Sequence, residues 1–506
     1  MHHRNHCTLL RGALFAALLI SASGIARAGT LYLARMTGQN ENPPNTSTFT
    51  GTGVLILNNM ENEAIVTATH NITVPVIGGH IHRGTAAING PIILHFPAPS
   101  SPVGPITWAI PAAEVDNLKN LGHYMNFHTA ANPGGVIRGT LVRALLAPSA
   151  ATPVQLRLAN VLDISAGASA DLDQVLIQAN LADAATQTRT LAQLSGGTLH
   201  AETRQQLEAM SAFGSVVLAY ADSTRGMSAV GGRFNGFLRV GHESGTRDAS
   251  WNQLESTVSR PYALLGVERQ IGPSTRAGLA LGLASGKDKF QGGAGRTEAE
   301  TTGLNAFVSF DLGDSGITLD AIGGYGSTSI DTTRNLSTLA RTATGSTNGR
   351  AWNVAFRASR PFRSGGTLKF VPYLLADFQE ATVDGYTETG AGSAGLTVLD
   401  RDMANAATEL GASVLFPLTS SVSARIQAGW RHLLDDGESS TTTWLNGAPL
   451  GFTTRFDGLK QNSARVEAAV DATLQNGAIL SLGYRGLLGG DSQQLHTVEA
   501  GLTLKF

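Results

Sequence analysis

The sequence predicts an all-β protein with a short helical segment: an N-terminal β-sandwich, a helical linker, and a C-terminal twelve-stranded antiparallel transmembrane β-barrel with a helix in the pore. Three observations lead there. Segments of period-2 hydrophobicity recur from residue 233 to the C-terminus. The last eleven residues, HTVEAGLTLKF, place Val498, Ala500, Leu502, Leu504 and Phe506 on one face of a strand and Glu499, Gly501, Thr503 and Lys505 on the other. After residue 28, no segment offers about 18 consecutive apolar residues, so only a closed barrel could hold this chain in a bilayer.

Composition agrees. The 506 residues carry a net charge of −2, only 15% charged side chains and 59 glycines, a balance that points away from nucleic acid and toward strands and turns. Residues 1–28 have an export pattern, with Arg4 and Arg11 before an apolar run at 13–20 and then Ala26-Arg27-Ala28, so cleavage is expected after Ala28. The expected carrier is the Sec export machinery. Cleavage also removes Cys7, the only cysteine, leaving the mature chain without disulfide or thiolate chemistry.

Residues 29–145 form the first unit, in which short β-branched runs alternate with Pro, Gly and Asn turns, the pattern of a β-sandwich or small barrel. Three motifs stand out: Gly38-Gln39-Asn40-Glu41-Asn42-Pro43-Pro44, His80-Ile81-His82-Arg83-Gly84, and Asn126 to Gly139 (NFHTAANPGGVIRG). Their content and order resemble a CHRD domain, the module named after chordin, which would be the displayed passenger. Residues 146–168 lack clear periodicity and read as a linker. From Ser169 the pattern turns helical, with Ser169 as cap, Asp171 and Asp173 in the first turn, and Leu172, Val175, Leu176 and Ala179 on one face. Gly196-Gly197 stops it, and a second helix follows over about 199–223.

The phrase Leu191 to Glu202 (LAQLSGGTLHAE) is similar to the segment that precedes the translocator barrel of classical autotransporters of the type V secretion family. With the terminal Phe506, read as the signal to the barrel-assembly machinery, that resemblance spans about residues 190–506 and implies a barrel domain over 231–506. Twelve candidate strands lie near 233–242, 260–271, 276–286, 302–312, 316–328, 350–362, 366–384, 403–416, 421–434, 460–474, 478–488 and 493–506. In the ninth, Val422, Ala424, Ile426, Ala428 and Trp430 oppose Ser423, Arg425, Gln427, Gly429 and Arg431, as a lipid exterior and a wet lumen require. Tight connections at 272–274, 313–315, 363–365, 418–420 and 475–477 alternate with longer ones at 243–259, 287–301, 329–349, 385–402 and 435–459. Short turns belong to the periplasmic side. A twelve-stranded lumen is about wide enough for one helix, and 199–223 is the expected plug.

Six of the ten histidines outside the leader, His70, His80, His82, His95, His123 and His128, fall within residues 70–128. His80 and His82 share a strand face and could give two nitrogens to copper or zinc, with a third from His95, His128 or His70. The alternative is that these imidazoles bond backbone and stiffen the sandwich. Arg83 and Arg138 could likewise pair with Glu41 or Asp116. Asn132-Pro133-Gly134-Gly135 reads as a turn.

In the barrel, Arg425, Arg431, Arg465, Glu467, Asp471 and Arg485 have lumen parity, and Arg357, Asp377 and Glu409 can join them as a compensating network or as holds on the plug. No GxSxG, HExxH or phosphate loop supports an enzyme, and His242-Glu243-Ser244 with Ser250 has no evident fixed geometry. Self-cleaving autotransporters usually act at a paired Asn; between the sandwich and the second helix this chain has only Asn160 and Asn180, so self-cleavage is not expected.

The resemblances imply an outer-membrane anchor, in contact with lipid, that displays a binding or adhesive domain to an extracellular protein or glycan. Two alternatives stand beside it. One is a metal-binding or redox domain on a barrel anchor. The other is a small channel with a periplasmic domain.

Overall fold

A computed structural model describes residues 28–506 apart from 225–233, 251, 364–367, 436–437, 457, 459–461 and 490–492. The leader up to Arg27 and the expected turn residues 364–365 lie outside the described residues. Chain contacts divide the molecule into two compact units. One takes in the chain up to Pro148 with Ala159–Asp183 and Gly447–Leu450; the other holds Ser149–Leu158, Ala184–Asn446 and Gly451–Phe506.

The first unit is built on nine strands: β1 (Gly29–Thr37), β2 (Thr50–Asn58), β3 (Ala64–His70), β4 (Val76–Arg83), β5 (Ile92–His95), β6 (Val103–Trp108), β7 (His123–Thr129), β8 (Asn132–Thr140) and β9 (Val142–Arg143). They form one continuous sheet in the order β5-β4-β7-β8-β1-β2-β3-β6, with β9 against β1. The two halves are joined at the single pair Thr37↔Arg138 and close over one core containing Tyr32, Met36, Leu55, Val66, Ile81, Met125, Phe127 and Ile137. Gly53 of β2 allows the close approach: a Cβ there would stand 2.1 Å from the Met125 sulfur on β7. Helix α1 (Ala112–Lys119) adds Val115 and Leu118 to this core. Strand β1 starts at Gly29, so cleavage after Ala28 would leave the strand whole.

The stretch expected to be a linker contains a helix, α2 (Pro153–Leu162), with Val154, Leu158, Ala159 and Leu162 buried. Its apolar residues do recur at helical spacing, but the flanking Ala, Pro and Ser obscure the period. Next come α3 (Ala170–Leu181), α4 (Ala184–Leu194) and α5 (His200–Thr224). The Ser169 hydroxyl accepts the Leu172 N–H at 3.2 Å, and Leu172, Val175, Leu176 and Ala179 are the buried face of α3. Arg35 of β1 donates to the Leu181 carbonyl at 2.8 Å.

The second unit is the barrel. Its twelve long strands are β10 (Phe234–Arg247), β11 (Ser256–Gln270), β12 (Thr275–Phe290), β13 (Gly295–Asp311), β14 (Thr318–Leu336), β15 (Arg341–Ser359), β17 (Lys369–Val383), β20 (Arg401–Pro417), β21 (Val422–Asp435), β24 (Asn462–Thr473), β25 (Ile479–Gly489) and β26 (Gln493–Lys505). Each overlaps one of the expected segments. All neighbours are antiparallel, the short β16 (Phe362–Arg363) extends the pairing of β17, and β10 against β26 closes the ring. Outward residues form an apolar belt, with Leu265 63%, Leu482 61% and Trp430 55% exposed. Inward neighbours such as Leu264, Asn305 and Arg425 are buried.

The expected long loops at 287–301 and 329–349 are instead continuous strand ends joined by the short connections 291–294 and 337–340. Strand β14 pairs with β15 as far as Leu336↔Arg341. The amphipathic signal stops where the strands leave lipid and both faces become polar, but the hydrogen-bond ladder does not. At 19 residues, β14 and β15 far exceed the roughly 9–11 needed to cross a bilayer. At the same end, β18 (Tyr386–Thr387), β19 (Leu396–Val398), β22 (Ser439–Leu445) and β23 (Phe452–Phe456) form a separate four-stranded sheet in the long connections.

Helix α5 fills the lumen. Phe213, Tyr220, Phe237 and Phe307 pack together, with the Tyr220 and Phe237 rings stacked at 4.0 Å. Small residues make room: a Cβ on Gly282 or Gly303 would stand 2.9 Å from the Phe213 ring, and one on Gly326 2.6 Å from the Met210 sulfur. Gly282→Val should therefore overpack the helix seat and lower unfolding stability by about 1–3 kcal/mol in a denaturant titration of the refolded barrel in detergent. Gly323→Ala, where a Cβ meets nothing within 4 Å, should leave the midpoint unchanged.

Candidate functional site

Two places bring chemistry-bearing side chains together, the pore and one face of the N-terminal sheet. In the pore the inward charges pair with one another and with the helix. Asp222, near the C-terminal end of α5, receives Arg357 at 2.7 and 2.9 Å, and Arg357 also reaches Asp320 at 2.9 Å. Arg425 bonds Glu467 at 2.7 Å and stands 3.6 Å from Asp222; Arg485 reaches Glu467 at 3.4 Å. Arg465 donates to Ser215 of α5 at 2.7 Å and lies 3.5 Å from Glu409, while Arg431 bonds Asp377 at 2.8 Å. Asp471 accepts from Ser481 at 2.5 Å.

The sequence reading missed the partners toward the other end of the helix. Glu208 bridges Arg247 and Arg260, Arg247 also pairs with Asp288 and Arg260 with Glu243, and Glu202 pairs with Arg401. Parity on β10, β11, β12 and β20 could have found the strand residues, but the helix residues have no period-2 signal. Beside the helix remains a cavity of about 140 Å³, room for a few water molecules.

The face of the N-terminal sheet follows from strand alternation. On β7, Met125 and Phe127 enter the core, so Tyr124, Asn126 and His128 lie on the opposite face. His80 pairs across β4 and β7 with Asn126 and His82 with Tyr124; His95 on β5 is directly opposite His80, and Arg138 on β8 opposite Asn126. The three sequence motifs, far apart in the chain, meet on this one face.

They hold one another. Glu41 accepts both of its bonds from the Asn126 amide, at 2.9 and 3.0 Å, and burial pushes its carboxyl up to about 7 against the pull of Arg138. Arg138 does not form the ion pair considered from sequence. It donates to Asn89 Oδ1 and to the Thr85 and Ile88 carbonyls, and lies 3.4 Å over the Tyr124 ring, whose neighbour His82 stacks on it at 4.8 Å. Arg83 pairs with Glu114, not with Glu41 or Asp116. The Asn132-Pro133-Gly134-Gly135 segment, read as a turn, is the first part of β8. Gly135 has φ +137°, and a Cβ there would stand 2.5 Å from the Asn126 amide and 2.6 Å from both Glu41 oxygens. Glycine is required by the backbone and by the network together.

The histidines divide. His70 uses both ring nitrogens, one with the Pro99 carbonyl at 2.9 Å and one with the Ile72 N–H at 3.3 Å. His123 is buried and bonds Glu114 at 2.7 Å. His80, His82 and His128 bring one nitrogen each to within 4.8 Å of one another, and the His95 ring lies 4.8 Å from that of His80. Burial holds all three grouped imidazoles below their usual range, His80 down to about 4 with help from the His128, His82 and His95 charges. In the barrel, His242 is exposed outside while Glu243 points into the lumen and bonds Arg260, so the acyl-transfer grouping does not assemble.

Comparison with known proteins agrees with this division. Residues 236–485 match the family model "Autotransporter beta-domain" and residues 32–141 the model "CHRD domain". An extracellular serine protease of Serratia marcescens is 26% identical over 273 residues, 53% of this chain and 25% of that protein; a second from the same organism is 24% identical over 271 residues. The chain thus spans about a quarter of the length of these curated relatives. Among solved structures, the translocator domain of autotransporter NalP from Neisseria meningitidis has 15% identity and a TM-score of 0.48, covering 60% of this chain and 99% of that one. The transport unit of AIDA-I from Escherichia coli has 12% identity and a TM-score of 0.38, covering 60% and 99%. With a closed twelve-stranded barrel and both family models matched in order, this chain belongs to the autotransporters, an outer-membrane translocator barrel joined to an N-terminal CHRD domain.

Proposed function

We propose that the barrel exports the CHRD domain and then anchors it at the cell surface as a binding or adhesive module for an extracellular protein or glycan. The observation that carries this reading is the direction of α5. Its C-terminal end, at Asp222, is held by Arg357 and Arg425, which lie beside the short-turn ends of β15 and β21. Its N-terminal end, at Glu202, meets Arg401 where β20 leaves the long connection. Short turns face the periplasm, so the chain preceding α5 emerges outside. Sec export, barrel-assembly recognition of Phe506 and contact with outer-membrane lipid follow from the same reading. The filled lumen, with space for a few waters beside the helix, speaks against a small open channel.

An epitope tag placed after Ala28 should be reached by antibody and protease in intact cells. Access only after permeabilisation would sink surface display and favour a periplasmic domain. The plug has its own test. Arg357→Met leaves Asp222 and Asp320 without their shared cation, a loss of about 3–5 kcal/mol for a buried pair. Planar-bilayer recordings should then show opening events that the parent chain lacks; equal silence and equal stability would mean that this pair does not seat the helix.

A further inference from the structure

Three imidazole nitrogens on the outer face of β4 and β7 have no bonding partner, and they occupy one spot. His82 Nδ1 lies 2.9 Å from the Gly90 carbonyl and His128 Nδ1 2.9 Å from the Pro133 carbonyl. A carbonyl only accepts, so in each ring the proton sits on Nδ1 and Nε2 carries a lone pair. Both Nε2 atoms are buried without a hydrogen-bond partner, and so is Nδ1 of His80. Each such atom carries the penalty of a buried polar group left without a partner. Nitrogens of the three rings lie within 4.8 Å of one another, so one electron-pair acceptor can partner all three rings at once.

We propose that His80, His82 and His128 hold a divalent transition-metal ion, copper(II) in preference to zinc(II), with a fourth position open to His95 or to an external ligand. The donor set decides the class of ion. Neutral imidazoles suit copper and zinc, whereas calcium and magnesium need oxygen. Among the described residues the group contains no carboxylate or thiolate. Copper(II) exceeds zinc(II) at a nitrogen site by the usual order of divalent affinities. The carbonyls of Gly90 and Pro133 are the outer partners that fix a ligating histidine's tautomer and aim.

The nitrogens, within 4.8 Å of one another, must draw closer to share the tetragonal coordination that copper(II) favours. His80, whose Nδ1 is unanchored, is the ring that can swing to do so. The site belongs to the CHRD domain itself and does not depend on which side of the membrane displays it.

The full mature chain, purified in detergent with a histidine-free tag and stripped of metal, is offered copper(II) or zinc(II) alone, desalted, and assayed for bound metal. One copper per chain, nitrogen hyperfine structure in the electron paramagnetic resonance spectrum, and retention of copper over zinc in competition are expected. His82→Asn and His128→Asn should each weaken copper binding at least tenfold, while His496→Asn in the barrel should not. Circular dichroism and thermal unfolding verify that the variants fold, and the spectrum of the parent stands alone if one does not. Substoichiometric copper without nitrogen coupling, equal uptake by the His82 and His128 variants, or preference for zinc would each overturn the assignment. Failure of surface labelling would leave the metal count untouched, so the two readings fail separately.

Discussion

The molecule depends on one constraint: within lipid, every backbone N–H and C=O must find a partner in the protein. A sheet satisfies that only if it has no edge. The edge is removed by pairing β10 with β26 from Asn235↔Lys505 to Arg247↔Gln493, and the terminal residue takes part, since Phe506 and Phe234 exchange both backbone bonds, at 2.8 and 3.3 Å. First and last strands must therefore be the same length and in register. Without that closure the apolar belt and the polar lumen would have no separate sides to face.

A closed ring of twelve strands then creates a second problem, a lumen too wide for side chains to fill alone. Helix α5 solves it by supplying Phe213 and Tyr220 to inward aromatics on one side and carboxylates to arginines on the other. The aromatic contacts need inward glycines, because a helix with its side chains is about 10–12 Å across and the wall must recede to admit it. The charges cannot be hydrated freely in so tight a space, which is why nearly every inward arginine has a carboxylate at hand. Binding of the helix and neutralisation of the wall are the same interactions.

In the N-terminal domain the sheet uses its two faces differently. One is an ordinary core of Ile81, Met125, Phe127 and Ile137. The other carries a buried polar layer in which Glu41, Asn126, Arg138 and Tyr124 brace one another and leave imidazole nitrogens unspent. The bonds to Gly90 and Pro133 satisfy the expectation that these histidines hold backbone, yet each uses only one of two ring nitrogens. Stiffening the sheet and presenting a lone pair are thus compatible roles for one residue.

The barrel was legible because its chemistry is periodic. Lipid outside and charge inside impose alternation, so the twelve strands and the inward parity of Arg425, Arg431, Arg465 and Glu467 could be read from local order alone, whereas the closing role of the last eleven residues was implied by the family resemblance. The Ser169 cap and the apolar face of α3 were legible for the same reason. What the tertiary structure decided are the places where local order is silent. The strand ends beyond lipid lose their alternation while keeping their ladder, so loops at 287–301 and 329–349 turned out to be strands. The partners of the inward charges lie on α5, hundreds of residues away for some pairs. The three motifs of the CHRD domain are separated by about 40 residues each, and only folding puts His128 rather than His70 beside His80 and His82. Sequence determined which residues share a face; distance between faces is set by long-range packing, which no period records.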